Sequence, residues 1–314
     1  MLGLILSVLR SSDLWAATLQ FAALLLLPAL GGVISERGGI TNIAMEGMML
    51  TGACAGVMVA RATNNVLLGV VGAIVAATLI SLIHALVSIN FKANQVVSGI
   101  AINLFALGLT NYIVFIQTAG QGVPSLNDSL RLPQVSLGPL SNIPFIGPVF
   151  LQQNIIFYVA VVILFATQFL LFHTNFGLRI RAVGEHPHAA DTAGVNVRLM
   201  RYICVGASGA FAGLAGAYLS LGIAGVFTSN MTAGTGFIAL AAMIFGKWTP
   251  WGTAGACVVF GLGEALVSRL QGPGIDPNLL STLPYILTLF ALVGLVGRTI
   301  PPAADGVPYE PGTE

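Results

Sequence analysis

The chain has 314 residues, of which 56% are hydrophobic and only 7% are charged, and its mean hydropathy is +0.91. Soluble domains carry about one quarter charged residues, so this composition excludes an ordinary soluble protein and indicates an integral membrane protein. The net charge of +1 gives no reason to expect a nucleic acid as a partner.

Long uninterrupted apolar runs predict membrane-spanning helices, because a helix needs about 20 apolar residues to cross the hydrocarbon core. A β-barrel would instead show segments of about 10 residues with alternating polarity. The sequence therefore predicts an all-α, polytopic membrane helical bundle of about nine spans. The predicted spans lie near residues 14–35, 43–60, 66–90, 96–118, 151–173, 202–224, 234–247, 251–269 and 279–297.

The basic residues predict the orientation of these spans, since cytoplasmic loops are enriched in Lys and Arg. Placing the basic loop that follows His173 in the cytoplasm puts most basic residues on that side and the N-terminus outside. The predicted cytoplasmic residues are Arg37, Lys92, Arg179, Arg181, Arg198, Arg201, Lys247 and Arg298. The predicted external residues are Arg10, Arg61, Arg131 and Arg269.

Two predicted spans are anomalous. The second opens with the sequence GGITNIAMEG, and the seventh is too short for a full crossing. Both are predicted to be broken or partly re-entrant helices, and they lie five spans apart, so they run in opposite directions. The sequence AMEGM at 44–48 also resembles ALAAM at 239–243. This pattern suggests an inverted repeat, although recurrence of Gly and Ala by composition explains the resemblance equally well. In transporters, paired broken helices mark a substrate path near the membrane midplane.

Two segments outside the spans have distinct compositions. Residues 119–150 carry five prolines and are predicted to form an external loop, because proline prevents a regular helix across lipid. The second segment, residues 299–314, is predicted to be a disordered cytoplasmic tail. Residues 1–298 are assigned to the transmembrane domain.

Polar residues inside the spans are candidates for a substrate pathway. Asn42 and Glu46 lie one helical turn apart, and a carboxylate at depth is costly enough to suggest a role. The alternative is that Glu46 pairs with Arg37 near the cytoplasmic end or accepts backbone hydrogen bonds. In the fourth span, polar side chains return to one helix face and suit an uncharged polar solute, or else hold helices together. They are Asn103, Thr110, Asn111 and Gln117.

Other candidate chemistry is not supported. The three cysteines, Cys54, Cys204 and Cys257, are isolated and are predicted to be buried, without metal or disulfide. His84 is interpreted as a hydrogen-bonded interior residue, and Glu264 as a structural residue near the external end. No P-loop or catalytic constellation is present, so we expect no catalytic residue, no metal and no cofactor in this chain.

The loop of residues 174–201, named here the coupling loop, contains the sequence EHPHAADTAG from Glu185 to Gly194. Pro187 suits the first turn of a helix, and Gly194 suits a helix end. The loop is therefore predicted to contain one short helix, exposed below the membrane and suited to docking. A basic linker attracted to anionic lipid headgroups is the alternative.

The chain resembles, over nearly its whole length, the inner-membrane permeases of ABC importers in the class serving branched-chain amino acids, simple sugars and nucleosides. The motifs that carry the resemblance are ERGGITNIAMEGMMLTGA at 36–53, NQVVSGIAIN at 94–103, RAVGEHPHAADTAGVNV at 181–197, SGAFAGLAGAYLSLG at 208–222 and GFIALAAMIFGKWTPWGT at 236–253.

The resemblance implies that residues 184–194 form the coupling helix that seats in a separate cytoplasmic ATP-binding subunit. Residues implied to act in this coupling are Gly184, Glu185, His186, Ala189, Ala190 and Gly194. His186 stands where the family commonly has Asn. The resemblance also implies a second permease subunit, of the same or a different chain, and an extracytoplasmic solute-binding lipoprotein. The location is then the plasma membrane of a bacterium or an archaeon.

The NIAMEGMM and ALAAMIFGKW motifs look most like those of permeases for nucleosides or simple sugars. This agrees with the neutral polar side chains on one face of the fourth span. Branched-chain amino acids rank third. The chain is then a transport subunit and not an enzyme, with ATP hydrolysed by its partner. The alternative from another class is a self-sufficient secondary transporter or channel, which the broken helices and the acids at membrane depth would also suit.

Overall fold

The computed structural model describes residues 10–118, 130–136, 138, 141, 143–270, 282 and 299–312. Ten helices and two short strands form within these residues, and we number them in chain order. The helices are α1 Ser12–Arg37, α2 Met45–Thr63, α3 Val66–Ala85, α4 Gln95–Thr118, α5 Ile155–His173, α6 Asn175–Glu185, α7 Pro187–Thr192, α8 Val197–Ala217, α9 Thr235–Phe245 and α10 Pro250–Leu270. The strands β1 Gln134–Ser136 and β2 Gln152–Asn154 pair antiparallel, and π-helical turns occupy Leu86–Asn90, Gly147–Leu151 and Tyr218–Ala224.

Six of the described helices are long and apolar enough to cross a membrane. They are Ser12–Arg37, Val66–Asn90, Gln95–Gln117, Ile155–His173, Val197–Ala224 and Pro250–Leu270. The prediction of an all-α, polytopic membrane protein is thereby confirmed. The total of nine spans and the inverted repeat remain predictions, and the ninth predicted span, 279–297, lies outside the described residues apart from Thr282.

Helix α1 is the central helix of the bundle. Its apolar window is 83% buried, whereas the corresponding window of α4 is only 22% buried. Small residues allow this packing: a Cβ at Gly261 in α10 would lie 2.7 Å from the Thr18 carbonyl oxygen of α1, and one at Gly52 in α2 would lie 2.8 Å from the Cα of Gly213 in α8. Close approach of backbones through small residues is the usual way in which helices associate in lipid.

The chain between α1 and α2, residues 38–44, is not helical and is buried inside the bundle, and we call it the re-entrant segment. Gly39, with φ +84, makes the turn that ends α1, and the Ser35 hydroxyl holds the turn by donating to the Ile40 carbonyl oxygen at 2.7 Å. Asn42 then contacts Ser208, eleven residues into α8. That point is about 16 Å along α8 at 1.5 Å per residue, so α2 begins at depth.

The second anomalous span is also short in the structure. Helix α9 has 11 residues and is about 16 Å long, roughly half of the hydrocarbon thickness. The described part of the predicted external loop contains strand β1, which pairs with β2 just beyond the loop, and most of the π-helical turn at Gly147–Leu151. Residues 119–129 of that loop lie outside the described residues.

The C-terminal tail differs from its predicted disorder. Residues 299–312 lie across the end of the bundle that carries the coupling loop, with Pro302, Ala304 and Tyr309 buried. The low density of large apolar residues suggested disorder, but the tail is held by backbone and side-chain hydrogen bonds, which composition does not reveal.

Candidate functional site

The coupling loop folds into two helices, α6 and α7. Thr174 caps α6 by accepting a hydrogen bond from the Gly177 amide, and Pro187 occupies the first turn of α7. Gly194 has φ +82 and follows the end of α7. The helix start at Pro187 and the stop at Gly194 were therefore predicted correctly, whereas Gly184 and Glu185, implied to belong to the same helix, lie at the end of α6.

The six coupling candidates do not share one environment. His186, Ala189 and Gly194 are exposed, and Glu185 is partly exposed. Gly184 and Ala190 are buried, and Ala190 packs in an apolar cluster. Only the first set is accessible from outside the chain, and Gly184 and Ala190 are not.

Gly184 lies where α6 meets the end of α1. A Cβ there would lie only 2.1 Å from the carbonyl oxygen of Arg37. The Arg37 guanidinium lies 3.8 Å from the Glu185 carboxylate and donates from Nε to the Trp248 carbonyl oxygen at 3.0 Å. The coupling loop is therefore attached to the end of the central helix, and Arg37 contacts Glu185 and not Glu46.

Polar side chains fasten the re-entrant segment on two sides. The Asn42 amide donates to the Ser208 hydroxyl at 2.8 Å. From the other side, Asn103 of α4 donates to the Ile43 carbonyl oxygen at 3.0 Å and accepts from the Gly47 amide at 2.8 Å. The two Asn103 bonds satisfy backbone groups that the irregular chain leaves unpaired at depth, and the Asn42 bond ties the segment to α8.

The Glu46 carboxylate joins α2 to α9. It accepts hydrogen bonds from the Thr232 hydroxyl at 2.6 Å, the Gly234 amide at 2.9 Å and the Gly236 amide at 2.6 Å. Glu46 also lies in the first turn of α2, and its side chain is 8% exposed. Both helix N-termini carry partial positive charge, so one buried carboxylate neutralises two of them.

From this junction α2 and α9 diverge. Gly32 of α1 lies beside Met243 near the far end of α9, and Trp248 just beyond α9 donates to the Glu36 carboxylate at 2.6 Å. Helix α9 thus runs toward the coupling loop, while α2 runs the other way along α8, and Gly56 in its second half lies beside Leu221, which follows α8. The two anomalous helices therefore meet at their N-termini and run in opposite directions.

The remaining pathway candidates lie further along α4. Asn111 is eight residues beyond Asn103, about 12 Å along the helix, and accepts from the Ser229 hydroxyl in the chain before α9. Gln117 lies further along and is exposed. The structure therefore brings Asn42, Glu46 and Asn103 together and leaves Asn111 and Gln117 apart from them.

A cavity of about 200 Å³ adjoins the Glu46 junction. Its wall is mostly apolar and carries three polar side chains, Thr232, Thr235 and Glu264. Thr232 is the same residue whose hydroxyl donates to Glu46. Glu264 was interpreted from the sequence as a structural residue near the external end, and the structure places it on this cavity. Thr235 was not identified, since a lone Thr in an apolar run carries no specific signal.

Two predictions about other polar groups are confirmed. His84 is fully buried, with Nε2 donating to the Thr41 carbonyl oxygen at 3.2 Å and Nδ1 lying 3.0 Å from the Ser98 hydroxyl. The three cysteines are free and buried. None of these groups faces the cavity beside Glu46.

Comparison with known proteins supports a common origin over nearly the whole chain. Residues 14–292 match the family described as "Branched-chain amino acid transport system / permease component". The guanosine ABC transporter permease protein NupQ of Bacillus subtilis (strain 168) is 44% identical over 312 residues, covering 94% of this chain and 96% of that protein.

Two further relatives are similar over comparable lengths. The nucleoside ABC transporter permease protein NupC of Lactococcus lactis subsp. cremoris (strain MG1363) is 40% identical, covering 94% of this chain and 95% of its own. The putative glucose ABC transporter permease protein TsgC13 of Haloferax volcanii is 36% identical, covering 92% of this chain and 93% of its own. No solved structure matches the chain at a significant level.

Proposed function

The chain belongs to the family of branched-chain amino acid transport system permease components, and we propose that it is the membrane subunit of an ABC importer for nucleosides. Simple sugars are the second candidate class. The similarity to NupQ and NupC supports the choice of nucleosides. This chain is 44% and 40% identical to those two relatives, but only 36% identical to the putative glucose permease TsgC13. The chain is a transport subunit and not an enzyme, and ATP hydrolysis falls to a separate subunit.

The junction at Glu46 supports a solute path beside it. Broken helices at membrane depth are tolerated where they line a cavity, and here the cavity of about 200 Å³ adjoins the point where α2 and α9 meet. Its hydroxyls and one carboxylate, set in an apolar wall, suit a neutral solute with hydroxyl groups. The aromatic ring of Phe21 on the same wall suits the flat face of a nucleobase.

In this proposal Glu264 accepts hydrogen bonds from solute hydroxyl groups, and Thr232 and Thr235 supply further polar contacts. Glu46 does not contact the solute, because its oxygens are occupied by the start of α9. It holds the starts of α2 and α9 in place, together with Asn42 and Asn103. Asn111 and Gln117 contribute to the path nearer the external side.

The exposed face of α7 supports docking of the ATP-binding subunit. Ala189 within α7 and His186 just before it are exposed, and Gly184 ties α6 to the end of α1. Movement of α7 would then reach α1 directly. A second permease chain, different from this one, would pack on the poorly buried apolar faces of the bundle, and a solute-binding lipoprotein would deliver cargo from outside.

We further propose that α2 and α9 are equivalent parts of two inverted repeats. Their opposed directions and shared N-terminal junction support this arrangement. A repeat of this kind places the substrate path between its two halves.

Uptake measurements in proteoliposomes test the proposed function. The chain is reconstituted with its second permease, ATP-binding subunit and binding protein, and radiolabelled guanosine, glucose and leucine are compared. We expect ATP-dependent uptake of guanosine, with glucose weaker and leucine absent. Preferred uptake of leucine would refute the proposed solute class.

A variant of the cavity tests the site itself. Glu264→Gln removes the carboxylate charge, and we expect the apparent KM for guanosine to rise about tenfold, the effect of weakening one charge-assisted hydrogen bond. The control is Ser268→Ala, one turn further along α10, whose hydroxyl donates only to the Ala265 carbonyl oxygen. An unchanged KM in Glu264→Gln would exclude the cavity from solute binding.

A further inference from the structure

The C-terminal tail contacts two elements that the proposed mechanism must move together. The Ala304 amide donates to the Gly184 carbonyl oxygen at 2.8 Å, and the Ala303 amide donates to the Glu185 carboxylate at 3.2 Å. The ring of Tyr309 lies 5.2 Å from that of His188 in α7. One side of the tail is therefore attached to the coupling loop.

The same tail reaches the re-entrant segment. The Thr41 hydroxyl donates to the Asp305 carboxylate at 3.1 Å. Thr41 is itself fixed by bonds from its amide to Gln95 and from His84 to its carbonyl oxygen. Asp305 thus contacts the segment one residue before Asn42 and five residues before Glu46.

A buried cation holds the middle of the tail. Arg201 of α8 is 1% exposed, and its guanidinium donates to the Val307 carbonyl oxygen at 3.0 Å. The Asp305 carboxylate attracts the same guanidinium. The docked tail thus supplies an acceptor to a buried charged donor that an undocked tail would leave without it, and this favours docking.

Two glycines allow the tail to approach the re-entrant segment and α8 closely. A Cβ at Gly306, which has φ +76, would lie 3.1 Å from the Thr41 hydroxyl oxygen. A Cβ at Gly39 would lie 2.9 Å from an Arg201 nitrogen and 3.3 Å from the Ala304 carbonyl oxygen. The two glycines allow the tail, α8 and the re-entrant segment to meet at one point.

We propose that residues 299–312 form a strap that transmits movement of the coupling loop to the re-entrant segment at the start of α2. Asp305 is a positioning residue in this strap, since it acts through Thr41 and touches no solute. The inference rests on the proposed importer function and adds a second mechanical connection to the one through Gly184 and Arg37.

The test uses the complete importer in proteoliposomes and measures solute transported per ATP hydrolysed. A chain truncated after Arg298 should still assemble with the ATP-binding subunit and hydrolyse ATP, while solute per ATP falls about fivefold or more, as expected for losing at least one hydrogen bond to a charged group. A wild-type ratio in the assembled truncated chain would overturn the strap, and so would loss of assembly, which would make the tail a docking element.

Point variants keep the test decisive if the truncated chain fails to insert. Thr41→Val and Asp305→Ala each remove one side of the same contact, so their effects on solute per ATP should not add when combined. Asp305→Asn retains an oxygen that can accept from Thr41 and should restore most of the ratio. Additive effects, or no effect of either variant, would overturn the proposal.

Two controls separate this result from failure of the importer assignment. Val307→Ala changes an exposed tail side chain but keeps the carbonyl oxygen that accepts from Arg201, and it should behave as wild type. Ala189→Arg should abolish assembly with the ATP-binding subunit. If Ala189→Arg has no effect, the importer assignment fails. If the Asp305→Ala complex assembles and hydrolyses ATP but transports less solute per ATP, the strap is supported.

Discussion

Replacement of Glu46 is the most informative perturbation of the bundle, because three buried donors converge on its carboxylate. The Thr232 hydroxyl and the Gly234 and Gly236 amides donate at 2.6, 2.9 and 2.6 Å. In Glu46→Ala these donors lose their acceptor, at about 1–3 kcal/mol for each buried group. Allowing for partial relaxation, we expect a loss of about 3–6 kcal/mol in the free energy of unfolding.

Glu46→Gln should cost less than Glu46→Ala. The amide retains one oxygen but turns an NH₂ group toward a backbone N–H, so about one hydrogen bond to a charged acceptor is lost, or about 1–3 kcal/mol. Thermal unfolding of the purified chain in nanodiscs measures both variants, with uptake measured in parallel. Uptake should fall in the same order, since the junction of α2 and α9 borders the proposed path.

The matched control is Asp13→Asn, an acid-to-amide change at an exposed position in the first turn of α1. It should shift the unfolding midpoint little. A Glu46→Ala variant as stable as Asp13→Asn would show that the carboxylate does not hold the starts of α2 and α9 together.

Three further predictions concern the coupling-loop side. Ala189→Arg should abolish co-purification with the ATP-binding subunit without changing the unfolding midpoint, while Ala189→Ser should preserve both; retention of the subunit by the Arg variant would contradict the docking surface. Gly184→Ala should destabilise the chain by about 1–3 kcal/mol in thermal unfolding, because a Cβ would lie 2.1 Å from the Arg37 carbonyl oxygen. Burial raises the pKa of the Asp305 carboxyl to about 6, against the hydrogen bond from Thr41, and Glu36 and Arg201 also face this carboxyl. Since the carboxyl of an undocked tail titrates near its ordinary value of 3.8, protonation favours the docked tail, and protease protection of the tail should increase as pH falls from about 6 to about 4. Asp305→Asn should flatten this dependence, and protection that decreases on acidification would contradict it.

The spans were predictable because apolar run length is a direct physical requirement of the bilayer. The six described crossing helices correspond to runs read from the sequence, and the two anomalous runs are α2 and α9. Their meeting at Glu46 was not predictable, because it depends on contacts between residues 186 to 190 positions apart in sequence. Periodicity reports the face of a helix but not its partner.

The candidate site shows the same limit. Asn42, Glu46 and Asn103 were identified as polar groups at depth, yet hydrogen bonds to backbone account for the positions of Glu46 and Asn103, and a bond to the Ser208 hydroxyl accounts for that of Asn42. The tail was predicted to be disordered because it lacks a large apolar surface. Its docking depends on Arg201, whose buried position follows from packing of α8 and is not visible in the charge pattern.

The central claim is that this chain transports solute only when it is coupled to an ATP-binding subunit. Uptake of radiolabelled guanosine into proteoliposomes tests it most directly, with the chain and its second permease present and the ATP-binding subunit added or withheld. We expect ATP-dependent uptake only in the complete complex, and loss of that uptake in Ala189→Arg. Equal uptake without the ATP-binding subunit would instead identify a self-sufficient transporter.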